Sequence, residues 1–515
     1  MKVIISQSSN FTELQSQFSS PNCIYVIGIE QQTFGTFTSP LVIPENSTLI
    51  FEGGKFIGGY VKLNNTVQND VYYRVWENVE ISGTFEHYVW RIFKNEMIRP
   101  EWFGAVGDGI NDDTQALQQA IKIASACGSV VKLSARRYLI TKTVHIFSAT
   151  HIEGTLPGSI DRNIQTGTSI EAKLTTDNIA LDANASYEKN GVKVDPSGCY
   201  KFILRDFSIV NVNTNSGIGL RLYSKDDTCP RNGVIENVFV YSFATGLELN
   251  AFSYVKMSYM SITDCQTSIH IDPKGGYAEF IWFSNIYVNT NALNAVGIKI
   301  ENGNNIYFNE IDINSCKYGF WANAVKSIYN LFVNKMNVTG CINSVWFYAK
   351  DQYIARVKMS EVSIYSFPNS EVGILFSRVA PYSIEDSVFT DLFDSVTTEA
   401  DFIRIEDMGM SSSVFDRIRT YNKLSGLSHV KKAGVLSIPN SGTFIIPAGT
   451  TGSFTHTISS SSPFDFAPMV IVSPQRDFAF NSTCSNTQMG DLSINISFQE
   501  ELQEALLVRF FFPQL

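Results

Sequence analysis

The chain has 515 residues, 44% of them hydrophobic and 17% charged, with a net charge of −10. That acidic balance excludes nucleic acid and anionic membrane surfaces as partners, since both need a basic footprint, and the ordinary hydrophobic content excludes global disorder. No run reaches the ~18 apolar residues of a membrane span, so no membrane insertion is expected.

In chain order, the first twenty residues carry one Lys and then turn polar, without the apolar stretch of a signal peptide. The expectation is a chain folded in a cytoplasm. Residues 1–99 hold short strands, such as Ser47–Phe51 and Asn78–Thr84, separated by Gly pairs. They read as a β-rich lead-in whose strands could themselves coil. Next, Thr114–Gly128 places Ala116, Leu117, Ala120, Ile121 and Ala124 on one helical face, with Asp112 or Asp113 ready as N-cap and Gly128 as the stop. Such an amphipathic helix suits the cover of an open sheet end. Asp112 and Asp113 are therefore read as helix-start residues rather than as a catalytic pair. The Gly-rich run Gly104–Gly109 has no βαβ unit after it and is not read as a nucleotide site.

A repeat dominates the middle of the chain. A polar–apolar–polar–apolar unit recurs at Asp206–Ile209, Asn237–Val240, Tyr259–Ile262, Asn285–Val288, Glu310–Ile313, Lys335–Val338, Glu361–Ile364, Ser387–Thr390 and Arg417–Thr420, in steps of 22–31 residues. A second strand follows each of the first eight, at Gly219–Leu222, Gly246–Leu249, Ser268–Ile271, Gly297–Ile300, Gly319–Ala322, Ser344–Phe347, Gly373–Phe376 and Phe402–Ile405. Period-2 alternation buries one face of each strand, and strands this short must stack on their neighbours. The expected fold is all-β: a right-handed parallel β-helix, the hand following from the crossover rule. Nine rungs at ~4.8 Å give a rod of roughly 40 Å. Cys265, Cys316 and Cys341 fall at one corner of three rungs. They are read as a packed ladder rather than as a disulfide or metal site, since the eight cysteines include no Cys-x-x-Cys. No metal and no cofactor are expected. After about Leu427 the period is lost, and residues 428–515 read as a β-sandwich-like module built on Thr443–Ile446, Pro468–Val472, Leu492–Ile496 and Leu506–Phe512. Three regions follow: 1–99, 100–427 and 428–515.

HExxH, phosphate-loop and GxSxG signatures are absent, which leaves carboxylate chemistry or binding alone. On a β-helix, equivalent outward side chains form ladders. Glu310 and Asp312 would project ~7 Å apart from one strand, with Glu361 two rungs from Glu310 and Lys335 between them. Two carboxyls at that separation fit glycoside hydrolysis, while Lys335 or Lys299 could neutralise a uronate beside a base. The alternative is a merely solvated charge pattern. Tyr259 and Tyr287 flank the group with flat faces for a sugar. On the second strand Trp321 and Trp346 would form an apolar stripe, either a carbohydrate platform or a seam between copies; His270 beside Lys299 reads as a surface or seam residue.

The run Trp102–Ile121, followed by Gly128–Leu133 and Tyr138–Ile140, resembles the opening of the pectate-lyase-like right-handed β-helix superfamily, which includes phage tailspikes and capsule depolymerases. Ser134–Arg137 departs from the turn usual there. The resemblance covers about residues 100–425 and implies the fold, not one set of catalytic residues. Together with the missing export signal and the β-rich C-terminus, it leads to the expectation of a homotrimeric phage tailspike or tail-fibre protein, resident in the virion. Such a protein would bind a bacterial surface polysaccharide and have a depolymerase of hydrolase or lyase type as its extension, with the N-terminal region attaching to other phage tail proteins. A secreted polysaccharide lyase or hydrolase and a non-catalytic fibre or adhesin stay open as alternatives.

Overall fold

The computed structural model describes residues 1–82, 95–158, 166–174, 178–184, 188–189, 192–193, 199–213, 215–225, 229–272, 278–290, 294–365, 370–394, 401–406, 410–411, 413–416 and 423–425, and beyond these the strands 441–446, 453–459, 469–473, 480–486, 491–498 and 506–511. The chain is a right-handed parallel β-solenoid. Short parallel strands already coil in the first 82 residues, where Lys2–Ile4, Ile24–Ile27, Thr48–Phe51 and Val67–Gln68 pair in order and two three-stranded sheets close the other sides. From Met97 onward one 18-stranded and one 11-stranded parallel sheet run side by side. Buried apolar residues form a single cluster from Ile5 to Phe415.

The repeat units of the sequence are the second half of longer strands. Phe252–Thr263, Ala278–Asn289, Gly303–Asn314 and Ile328–Thr339 each have 12 residues. Each has its main bend at Tyr259, Asn285, Glu310 or Lys335, where φ is +53° to +58°. Five residues before each bend lies another left-handed residue, in the ladder Asn232, Tyr254, Phe280, Asn305, Asn330, Arg356. Single αL residues turn the chain without ending the pairing, at a steric cost lowest for Asn. The result is a prism. Face A is the stretch before the bend (Val255–Ser258 and its equivalents), face B the stretch after it (Met260–Thr263), and face C the second strand (Thr267–Ile271).

Inward residues stack in register. Met260, Ile286, Ile311, Met336 and Val362 pair successively, with Val238 one rung before Met260. On face C the column Leu220, Leu247, Ile269, Ile298, Phe320, Val345, Ile374, Ile403 is unbroken. The eighth unit is corrected: Val362 pairs with Leu392, while Val388 pairs with Lys358 on face A. That coil is four residues longer than the alternation implied, and apolar–polar alternation fits both Val388–Thr390 and Leu392–Asp394. The ninth unit, Arg417–Thr420, lies outside the described residues.

The helix Thr114–Cys127 ends at Gly128 in the αL conformation and buries the expected face. Asp112 Oδ1 accepts the Thr114 N–H (3.0 Å), while Asp113 turns back and accepts the N–H groups of Val106 (2.7 Å) and Gly107 (3.1 Å). Both aspartates thus organise the helix start and the loop before it. Cys265, Cys316 and Cys341 are buried and occupy one corner. A Cβ added at Gly246, Gly297 or Gly319 would come within 3.2–3.3 Å of their sulfurs, so small thiols fill the space that the glycine column leaves. Among the described residues no helix is long and apolar enough to cross a membrane. Beyond residue 440, two three-stranded antiparallel sheets form, from strands 441–446, 506–511 and 469–473 and from 453–459, 491–498 and 480–486.

Candidate functional site

The predicted carboxylate group sits on the convex corner between faces A and B. Glu310 and Lys335 are themselves bend residues and pair at 3.2 Å, each about half exposed. Asp312, on face B, accepts from Asn337 Nδ2 at 2.8 Å. Glu361 occupies the next bend after Lys335 and is exposed. Tyr259 and Tyr287 are exposed, at 58% and 41%, and project from this corner and from face B. The residues are brought to one edge, but around salt-laced, solvated side chains rather than a concavity. The bend at residue 310 also breaks the straight-strand geometry on which the Glu310–Asp312 spacing rested.

The Trp321/Trp346 stripe is present, and it is not bare. The two indoles stack at 5.2 Å with 6° between planes. Tyr318 and Tyr348 pack beside them, and Lys299 Nζ lies 5.2 Å from the Trp321 ring centroid. Both are half-buried. Rings stacked along the rod spend their faces on each other and present edges to solvent, so they make a poor platform for a sugar ring. The same face holds a network that reading by strands left apart. Glu301, buried, accepts from His270 Nε2 (2.6 Å), Lys299 Nζ (2.9 Å) and Asn323 Nδ2 (2.8 Å). Burial alone would raise its carboxyl, but the hydrogen bonds and charges of His270 and Lys299 outweigh that and hold it at about 2. His270 and Lys299 are therefore pinned by a fixed anion. No group of three His, Cys, Asp or Glu side chains suited to a metal exists among the described residues.

A concavity lies on face A, which the sequence reading missed. The outward column there runs His151, Ile203, Val234, Lys256, Trp282, Tyr307, Phe332, Lys358. Trp282, Tyr307 and Phe332 stack at 5.5 and 4.8 Å with planes within 8°. Beside them on the corner, Tyr254 and Phe280 stack at 4.7 Å and 7°. This aromatic wall ends abruptly toward the N-terminus, where the preceding rung offers only Asn232, Gly233 and Val234. The step is a groove of about 840 Å³ lined by these three with Tyr254, Lys256, Met257, Ser258, Trp282 and Ser284. Trp282 also packs beside Phe280 (6.3 Å) and Tyr254 (6.4 Å), so Tyr254 and Trp282 form the N-terminal end of one aromatic wall and both line the groove. Lys256 is exposed and makes no ion pair among the described residues. The signal was available: Trp282, Tyr307 and Phe332 stand 25 residues apart, in step with the repeat, but in the half of the strand before the bend.

The face continues toward the N-terminus as a charged column, Lys132, Glu153, Arg205, Glu236, in register with Ser258 and Ser284 of the groove. Glu153 is held by Lys132 (2.5 Å) and Arg205 Nε (3.0 Å); burial works against ionisation, but these two cations carry its carboxyl below the ordinary value.

No curated protein sequence matches the chain. Among solved structures, the Acinetobacter phage vB_ApiP_P1 tailspike shares 13% identity over 82% of this chain and 88% of its own, with a TM-score of 0.41. The A-module of the Azotobacter vinelandii mannuronan C-5 epimerase AlgE4 shares 15% over 64% and 96%, TM-score 0.38. The Streptococcus pneumoniae surface adhesin PfbA shares 14% over 64% and 93%, TM-score 0.28. Residues 101–345 match the family model described as rhamnogalacturonase A/epimerase, pectate lyase-like. By its coil architecture and by that match, residues 101–345 of this chain are similar to the pectate-lyase-like right-handed β-helix family.

Proposed function

We propose that the chain is a phage tailspike-type protein that binds a bacterial surface polysaccharide in the face A groove and depolymerises it. The observation that carries the reading is the end of the aromatic wall, where Tyr254 and Trp282 line a groove with Lys256, Ser258, Ser284 and Asn232 around it. A pyranose has an apolar C–H face that stacks on an indole or phenol ring and a rim of hydroxyls that needs such donors and acceptors. A groove open along a rod accepts the interior of a long chain, not only its end. In this reading residues 1–99 attach to other phage tail proteins, residues 428–515 hold three copies together in the virion, and Lys299, Trp321 and Trp346 form a seam between copies. Tyr259 and Tyr287 are proposed as outlying sugar contacts, and Glu310, Asp312, Glu361 and Lys335 as charged contacts to the glycan along the neighbouring corner.

The test is binding of purified capsular polysaccharides and exopolysaccharides to the immobilised full-length protein. Trp282→Ala is expected to weaken binding about 30-fold, the loss of one buried aromatic anchor worth about 2 kcal/mol. Unchanged affinity in Trp282→Ala and in Tyr254→Ala would remove the groove from the reading.

A further inference from the structure

We infer that Glu236 is the acid/base carboxylate of a glycan-cleaving centre at the N-terminal lip of the face A groove, an inference that rests on the polysaccharide reading above. Glu236 and Val234 lie on the strand Val234–Tyr241 and both point outward, so their side chains emerge roughly 7 Å apart. Val234 lines the groove. In the other direction Glu236 is in register with Ser258, and Ser258 with Ser284, both of which also line it. The carboxylate thus stands beside the lining, two positions from Val234 on one strand and in register with Ser258 on the next.

The column separates its two glutamates by environment. Glu153 is bound by two cations, which leaves its charge fixed and its oxygens occupied. Arg205, between the two, is committed to Glu153, and its charge reaches Glu236 only through space. Glu236 makes no hydrogen bond or ion pair of its own among the described residues, so its oxygens are available to a ligand. A sugar stacked on Trp282 would place its neighbour along the chain over Ser258, one rung away, with Glu236 on the rung beyond it. In the step, the carboxyl proton of Glu236 passes to the bridging glycosidic oxygen as the bond from that oxygen to the anomeric carbon breaks. Solvent water adds to the anomeric carbon, and its proton returns to the carboxylate. One bond is cut, one water is consumed, and one new reducing end appears.

The experiment incubates full-length protein, Glu236→Gln and Glu236→Asp with a panel of purified capsular polysaccharides and exopolysaccharides, reading binding and new reducing ends in parallel, with thermal melts as the folding control. The expected result is a parent that binds and cleaves one panel member, a Glu236→Gln variant that binds it within about twofold but cleaves at least ~100-fold more slowly, and a Glu236→Asp variant with intermediate rate. Full cleavage by Glu236→Gln overturns the inference, as does a rate lost only in a Glu310→Gln/Asp312→Asn double variant. Binding by the parent with no new reducing ends overturns the inference alone and leaves the binding reading standing. A parent that binds no panel member sinks both.

Discussion

Glu301 shows how a single residue can be decisive without touching a ligand. Its carboxylate is buried, receives three hydrogen bonds and fixes His270, Lys299 and Asn323 together. Its folded value of about 2 lies below the ~4.3 of an unfolded Glu. The stabilisation is therefore present above about pH 4.3 and drains away as pH falls toward 2, amounting to about 3 kcal/mol at most. Melting temperature should drop through that window in the parent. In Glu301→Gln the acid-labile part should be missing, leaving a flatter profile from a lower starting point. A parent profile that stays level from pH 5 to pH 2 would contradict the assignment. At the same scale, the glycines before the inward face C residues are explained by space: at Gly319 a Cβ would lie 2.5 Å from the Ser344 carbonyl oxygen and 2.8 Å from Val338 Cγ1, closer than atoms can pack.

At the scale of the strand, the bends set what could be read from sequence. The second strand has a plain period of two and no αL residue, and all eight copies appear where the alternation put them. The first strand alternates on both sides of its bend, but the bend shifts the parity by one and Trp282, Tyr307 and Phe332 fill outward positions before it, so that stretch, with the aromatic wall and Glu236, was not recognised as a face at all. The shift at residues 387–394 has the same root, because alternation fixes the parity of a register and not its phase. The bends also carry strain. Arg356 has φ +57°, a conformation that Asn tolerates better by up to about 1 kcal/mol. Arg356→Asn should raise the melting temperature by a degree or two, whereas Arg356→Val should lower it. Equal melting points for the two would mean that the corner does not impose this backbone in solution.

At the scale of the molecule, stacking every coil on its neighbour makes one cluster from Ile5 to Phe415, a nearest-neighbour architecture in which each rung is supported by the ones beside it. The face C stripe of Trp321, Trp346 and Leu375 suits a seam better than a sugar platform, since its ring faces are already occupied. If three rods pack there, light scattering should give about three times the 57.4 kDa of one chain, and Trp346→Glu should shift the mass toward one chain. A parent that runs as a monomer at micromolar concentration would refute the trimeric arrangement.

The coils differ in length although their faces do not. From face C to the corner that borders the groove, Leu247 to Tyr254 is seven residues, Ile269 to Phe280 eleven and Ile298 to Asn305 seven. The surplus falls outside every pairing column, at positions beyond the described residues. Length between columns is consequently interchangeable: segments of other lengths could be grafted beside Tyr254 and Phe280 to recut the groove for a different glycan, while the shaft beneath keeps its register unchanged.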